Sequence, residues 1–575
     1  MNAISPPRVR RNALCALATL IFLLMLPNLI WLWVGHGIDI WVCGLIVPSI
    51  LLLLLFAALG DRLWIACLLM APFAILAPME AFYVAKYHRP TFAEIIATLV
   101  ATNPREAREY LGNTLVPLVL CIIAAALLPL LAALWSWRSQ LRWRSDSRTW
   151  VFVLVVIAPL AAAIAVSVAA TGSVVERMTA GVQFFKSLSD PIQYGYPYGM
   201  VQRVAEYRRQ WLEMRKNVAR LDAFRFHAHR TSNIVKRQVY VLVIGEASRR
   251  DHWQLFGYSR PTNPELTRVR NLVPFPDMVS AWPESIAAIP MIVTRKSATS
   301  NPLGTWNEAS ILRAMQEAGF ETWWISNQMS IGEMDSPVST YAYEAQHTEF
   351  LNHASWTAPG SYDENLLKPL RDVLHDSNKD EFVVLHLMGS HQGYDFRYPD
   401  AYKRFRPALS DSADSVSRLD HAINSYDNTI LYTDHVLASI IGILRDSNAV
   451  TALFYESDHG ETLPTATCSL EGHGHGTRYD YEISALSWYS DDYAEAFPAR
   501  VNALRSNAGK HLMSADTFES MIDMAGVEFP GHDPSMSVFS PQWRYRARIT
   551  NAPWQVDIDH AGFGKGCAIV LPPNA

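Results

Sequence analysis

The chain has 575 residues, of which 50% are hydrophobic and 18% are charged. An average soluble domain carries roughly 25% charged residues, and a disordered chain needs few apolar residues and many charges, so disorder is excluded. Lys plus Arg is 49 and Asp plus Glu is 54, a net charge of −5 that gives no ground for a nucleic-acid partner.

Five apolar runs lie before residue 173, at 13–35, 39–59, 63–86, 114–135 and 149–171. Each is near the ~20 residues that a bilayer core requires. The first follows Arg8, Arg10 and Arg11, as a signal peptide would. It is too long for a signal core and four more runs follow, so it reads as an uncleaved spanning helix. With the N-terminus in the cytoplasm, the inner segments hold Arg62, Arg138, Arg142, Arg144 and Arg148 besides the first three. The outer segments hold only Lys86, Arg89, Arg105 and Arg108, offset by Glu94, Glu106 and Glu109. The positive-inside rule then places everything after Gly172 outside the cytoplasm, in the periplasm of a Gram-negative-like cell.

The outer loop 88–113 is amphipathic through Phe92, Ile95, Ile96, Leu99 and Val100, which suits either the membrane interface or packing. From 173 to 237 apolar and basic residues alternate, with a break at Pro191 and 194–199, and an interfacial helical linker is expected. Cys15, Cys43, Cys67 and Cys121 fall in the apolar runs, leaving Cys468 and Cys567 outside them. An oxidising compartment permits a bond between these two, but spacing alone does not establish it.

From 238 onward short apolar runs alternate with helical patterns. The runs are 239–244, 322–325, 382–387, 450–455 and 486–489; the helical stretches include 308–318, 366–374 and 420–444. This alternation predicts an α/β domain with a mainly parallel sheet. Ligands of such sheets gather at the carboxyl ends of the strands. There the sequence places Gly245-Glu246, then His386 to His391, then Ser457-Asp458-His459-Gly460-Glu461, and shortly after Gly472-His473-Gly474-His475-Gly476. Carboxylates and imidazoles together suit zinc or a similar divalent ion. Ser285 opens an expected short helix after Pro283-Glu284. It is either the cap of that helix or a nucleophile activated by a metal, with free N–H groups beside it that favour phosphate.

The segments 241–250, through Gly245-Glu246, and 257–264, Gly-Tyr-Ser-Arg-Pro-Thr-Asn-Pro, resemble the membrane-bound phosphoethanolamine transferases of the alkaline phosphatase and sulfatase superfamily. Met388-Gly389-Ser390-His391 and Ser457-Asp458-His459-Gly460-Glu461 follow in the family's order. The resemblance covers nearly the whole chain. It implies a five-helix transmembrane domain at 1–172, an interfacial linker at 173–237 and a periplasmic sulfatase-like catalytic domain at 238–575. It also implies zinc, as one or two ions and ahead of manganese or calcium, held by Glu246, Asp458, His459 and the nucleophile. Counting back five residues from Pro290 assigns the nucleophile to Ser285, where the family carries Thr. Ala281, Trp282 and Pro283 depart from the family's Cys, Gly and Thr, and Met291 from its Cys, so at most one bridge, Cys468–Cys567, is expected. His391 matches the family's histidine for the head group or a second metal. The last histidine is His475 by its Gly-Thr context, with His473 as the alternative.

The implied reaction takes phosphoethanolamine from phosphatidylethanolamine through a covalent Ser285 intermediate to a lipopolysaccharide acceptor, with lipid A or a core sugar ahead of a periplasmic glucan. A second metal, or His391 and His475, assists the second step. Rivals are a phosphoglycerol transferase or another hydrolase of the superfamily, and an inactive membrane sensor. A sulfatase is disfavoured because 285–287 lacks the Cys/Ser-x-Pro-x-Arg maturation pattern.

Overall fold

The computed structural model describes residues 7–34, 39–87, 90–91, 95–96, 100, 111–143, 146–171, 174–231, 234–300, 307–331, 335–352, 361–376, 378–411, 418–551 and 555–573. Most of the loop 88–113, with Phe92 and Leu99, lies outside them. The chain forms two compact units, Met1–Arg209 and Gln210–Ala575.

The first unit is helical. Pro7–Val34 (α1), Leu115–Arg138 and the helical run Ser147–Ala169 are each long and apolar enough to cross a membrane. Val42–Ala58 and Gly60–Leu69 pass that test only as a pair, bent by 72°. The described helices thus offer three spans, or four with the bent pair, against the five expected from the apolar runs. Two features account for the difference. Gly60–Arg62 is a tight turn between helices, and the run 63–86 is divided at Met70 into Leu63–Leu69 and Ala71–Tyr87. Apolar side chains such as Leu120, Ile123 and Leu127 stand more than half exposed along Leu115–Arg138, which suits a lipid-facing surface better than water.

Several buried polar groups of this unit are paired. Glu80 is buried, accepts a hydrogen bond from the Thr91 N–H at 3.1 Å and meets Arg203 at 2.7 Å. Asn28 clasps the Tyr196 backbone in both directions, donating to its carbonyl at 2.7 Å and accepting its N–H at 2.9 Å. An unpaired charge or amide would be costly in such a setting, so these contacts hold the 190–203 segment in one place.

The second unit is built on a seven-stranded sheet. Its strands are Gln238–Gly245 (β1), Leu272–Pro274 (β2), Glu321–Ser326 (β3), His347–Phe350 (β4), Glu381–His386 (β5), Val450–Ser457 (β6) and Ala485–Tyr489 (β7). The order is β2-β7-β6-β1-β5-β3-β4. The five strands from β6 to β4 run parallel, and β7 pairs antiparallel with both β6 and β2, so the sheet is mixed.

Every residue of β1 is buried. Tyr240, Leu242 and Ile244 join a core shared with Ile289 and Ile292 of helix Ser285–Val293 (α2) and with Phe518 and Met521 of helix Thr517–Ala525. Val239, Val241 and Val243 face the other layer, with Leu370 and with Ile430, Leu437 and Ile440 of helix Arg418–Asp446 (α3). The two-residue period of a strand thus fills two cores at once, which explains the unbroken apolar run. Ile244 stands opposite His386 of β5 and Gly245 opposite Ser457 of β6, so the polar segments that follow the three strands leave the sheet side by side.

Candidate metal centre and active site

Glu246 follows β1 directly, and Asp458-His459 follow β6 directly. The third segment is pressed onto the first. Gly389 has φ +52°, and a Cβ there would lie 2.7 Å from the Glu246 carbonyl oxygen and 2.8 Å from its nitrogen. Only glycine fits that backbone and that approach.

Ser285 is the first residue of α2, and Glu284 before it is extended. The Ser285 side chain does not cap the helix. Its hydroxyl donates to Glu246 Oε2 at 3.1 Å and lies 3.2 Å from His459 Nε2. His459 Nε2 is 3.2 Å from Glu246 Oε1 and 3.6 Å from Asp458 Oδ2. Its other ring nitrogen, Nδ1, lies 2.7 Å from the Gly460 carbonyl, which turns Nε2 toward the two carboxylates. Asp458 Oδ1 accepts the N–H of His459 at 2.7 Å and of Ala247 at 3.3 Å.

The electrostatics follow from burial and crowding. Burial raises Asp458, and the Glu246 charge raises it further, to about 7. Burial also works against the Glu246 carboxylate, but the neighbouring histidines, His459 foremost, hold it well below the usual range. Burial likewise opposes a charged His459, yet Asp458 and Glu246 together lift it to about 10. His391 is lowered, mainly by burial.

These groups fit a divalent metal. Glu246 Oε1 and Asp458 Oδ2 are buried without a hydrogen bond. Glu246, His459 and His473 each offer a ligand atom, all within 4.8 Å of one another. Two carboxylates and bare imidazole nitrogens are a zinc-type donor set.

The structure separates the two late histidines. The ring of His473 lies 4.2 Å from that of His459 and 5.8 Å from that of His391, between centroids. His475 instead directs Nε2 to the Glu471 carbonyl at 3.0 Å, and its backbone N–H donates to Asp480. The donor set therefore gathers His473 rather than His475. The physical reason is the strap 472–476, whose three glycines all have positive φ. Its Gly474 N–H donates to the Pro283 carbonyl at 3.1 Å, which seats His473 beside the start of α2.

Two contributors went unread in the sequence. Gln328, just past β3, donates to the Leu387 carbonyl at 2.9 Å and reaches Glu246 Oε2 at 3.5 Å. Its only sequence signal is its place after a strand end. Glu461 lies within the Asp-His-Gly-Glu segment but has no role readable from spacing. The disulfide left open by spacing is present: Cys468 and Cys567 are bridged, with Cα atoms 4.7 Å apart.

The sequence pattern of the sulfatase family matches residues 238–527. Phosphoethanolamine transferase EptC of Escherichia coli K12 is 26% identical over 530 residues, which cover 88% of this chain and 87% of that protein. Kdo(2)-lipid A phosphoethanolamine 7''-transferase of Escherichia coli K12 is 30% identical over 288 residues, 46% of each chain. Among solved structures, the zinc complex of the C-terminal periplasmic domain of EptC from Escherichia coli is 28% identical with a TM-score of 0.53, covering 60% of this chain and 98% of that domain.

Proposed function

The chain belongs to the sulfatase family, and from that premise we propose that it transfers phosphoethanolamine from phosphatidylethanolamine to a lipopolysaccharide acceptor, lipid A or a core sugar. The observation that carries this reading is the convergence of Ser285 Oγ on Glu246 and His459 at the carboxyl ends of β1 and β6. The name of phosphoethanolamine transferase EptC, which matches 88% of this chain, supports transfer of that group. So does the zinc bound to the periplasmic domain of EptC from Escherichia coli.

Glu246, Asp458, His459 and Ser285 would hold zinc, as one or two ions, with His473 beside them. Zinc there would neutralise charge on the phosphoryl oxygens and make the hydroxyl more acidic. The chain's own groups do the rest. Ser285 Oγ attacks the phosphorus of the donor and gives up its proton along its hydrogen bond to Glu246 Oε2, at 3.1 Å. The bond from phosphorus to the diacylglycerol oxygen breaks, and diacylglycerol leaves with a proton. The phosphoethanolamine group is then bonded to Ser285. In the second half an acceptor oxygen attacks the same phosphorus, the Ser285–phosphorus bond breaks, and the hydroxyl is restored. We assign the acceptor's proton to His391, whose burial favours the neutral ring and whose ring lies 5.8 Å from that of His473.

The remaining parts of the reading concern the membrane. We propose a multi-pass protein of the bacterial inner membrane, with spans at 1–172, an interfacial segment at 173–237 and catalysis by 238–575 in the periplasm. The apolar helices of the first unit support it. So does the likeness of the second unit to the C-terminal periplasmic domain of EptC from Escherichia coli.

Intact-protein mass spectrometry after exposure to phosphatidylethanolamine tests the reaction. A gain of one phosphoethanolamine group, mapped to Ser285 and absent from Ser285→Ala, is expected. An adduct on another residue, or normal transfer by Ser285→Ala, would overturn the assignment.

A further inference from the structure

We propose that Glu461 is a positioning residue that, buttressed by Tyr394, sets the tautomer and aim of His473 and thereby makes His473 a metal donor. The inference rests on the metal-dependent transferase reading above and extends it to residues outside the first ring of ligands.

Glu461 is fully buried, three residues beyond Asp458. Its Oε2 lies 3.1 Å from His473 Nδ1, and its Oε1 accepts the Tyr394 hydroxyl at 2.6 Å. A carboxylate accepts hydrogen bonds and donates none. The proton of a neutral His473 must therefore sit on Nδ1, which leaves Nε2 as the bare nitrogen. A carboxylate behind a ligating histidine fixes its ring and raises its basicity. Burial, and next the Glu461 charge, hold the Tyr394 phenol well above its usual range, so it stays a donor.

The backbone around this chain of contacts is pinned from both sides. Thr462, next to Glu461, exchanges two backbone hydrogen bonds with Gly472, next to His473, at 2.8 and 3.0 Å. Arg249 donates to the Glu461 carbonyl at 3.3 Å. Tyr394 comes from the segment that follows β5 and packs edge-on against Tyr426 of α3, with ring centroids 5.3 Å apart. His475, two residues along the same strap, instead turns its Nε2 to the Glu471 carbonyl at 3.0 Å.

The test uses the full-length protein in detergent, with zinc affinity read by competition against a chromophoric chelator. Glu461→Ala should lose roughly 10- to 100-fold in zinc affinity, the range for residues that support metal ligands. It should also change the visible spectrum of the cobalt(II) form. Glu461→Gln, which keeps an acceptor oxygen, should recover part of the affinity, and Tyr394→Phe should lose several-fold. Thermal midpoints are measured alongside, and if Glu461→Ala does not fold, Glu461→Gln and Tyr394→Phe decide. Wild-type zinc affinity and an unchanged cobalt spectrum in every folded variant would overturn the proposal. So would loss of zinc in His475→Ala with none in His473→Ala. Because metal binding is read without substrate, failure of the wild type to transfer phosphoethanolamine would sink the functional reading alone.

Discussion

Ser285, Glu246 and His459 touch one another, and the charge they concentrate makes metal binding a competition with protons. Without metal, His459 holds its proton up to about pH 10 and Asp458 holds one to about pH 7. Zinc needs both deprotonated. Apparent zinc affinity should therefore rise about tenfold per pH unit between pH 7 and 9, and more steeply below pH 7, where a second proton must leave. Chelator competition at several pH values measures this, and a flat profile would remove His459 from the ligand set. Glu246, Asp458 and His459 were legible because each lies within four residues of the end of an apolar run. The choice between His473 and His475 was not. Two His-Gly pairs two residues apart look alike in sequence, and only the backbone of the strap and the contact with Glu461 tell them apart.

At the scale of elements, two joints carry the site. The first is Gly389 against the Glu246 backbone. Gly389→Ala puts a side chain at φ +52° and within 2.8 Å of backbone atoms. The left-handed conformation alone costs about 1–2 kcal/mol. A lower thermal midpoint and weaker zinc binding are expected together; an unchanged midpoint would refute the packing argument. The second joint is the bridge Cys468–Cys567, which closes a sequence separation of 99 residues. Removing a native disulfide typically costs about 2–5 kcal/mol. Thermal unfolding of Cys468→Ser, and of the wild type with reductant, should show similar losses. Zinc affinity should fall in both, because Cys468 lies on the same loop as His473.

The parallel strands at the centre of the sheet were readable as uninterrupted apolar runs, since strands covered on both faces need no polar alternation. The antiparallel placement of β7 was not readable, because a strand's direction depends on its neighbours and leaves no mark in its own residues. The short edge strands β2 and β4 also escaped, being only three and four residues long with partly exposed positions.

The whole molecule divides into two compact units. Gln210–Ala575 has its own sheet and its own hydrophobic cores, so expressed alone it should fold and bind zinc with wild-type affinity. Transfer to acceptors embedded in lipid should fall by at least an order of magnitude, since both proposed substrates are membrane lipids, while hydrolysis of a soluble phosphodiester should persist. Zinc titration and the two assays side by side measure this. Failure of the isolated unit to fold would mean that it depends on the first.

The sequence by itself determined that five apolar runs of spanning length lie before residue 173 and that an α/β domain follows. It also determined which strand ends carry carboxylates and imidazoles. These are matters of composition and period, which depend on neighbours along the chain. Only the tertiary structure decided how many helices remain whole, which histidine joins Glu246 and His459, and that Ser285 points at them rather than capping its helix. Those outcomes depend on backbone turns at Met70 and Gly472–Gly476 and on contacts between segments far apart in sequence, where no local pattern records the partner.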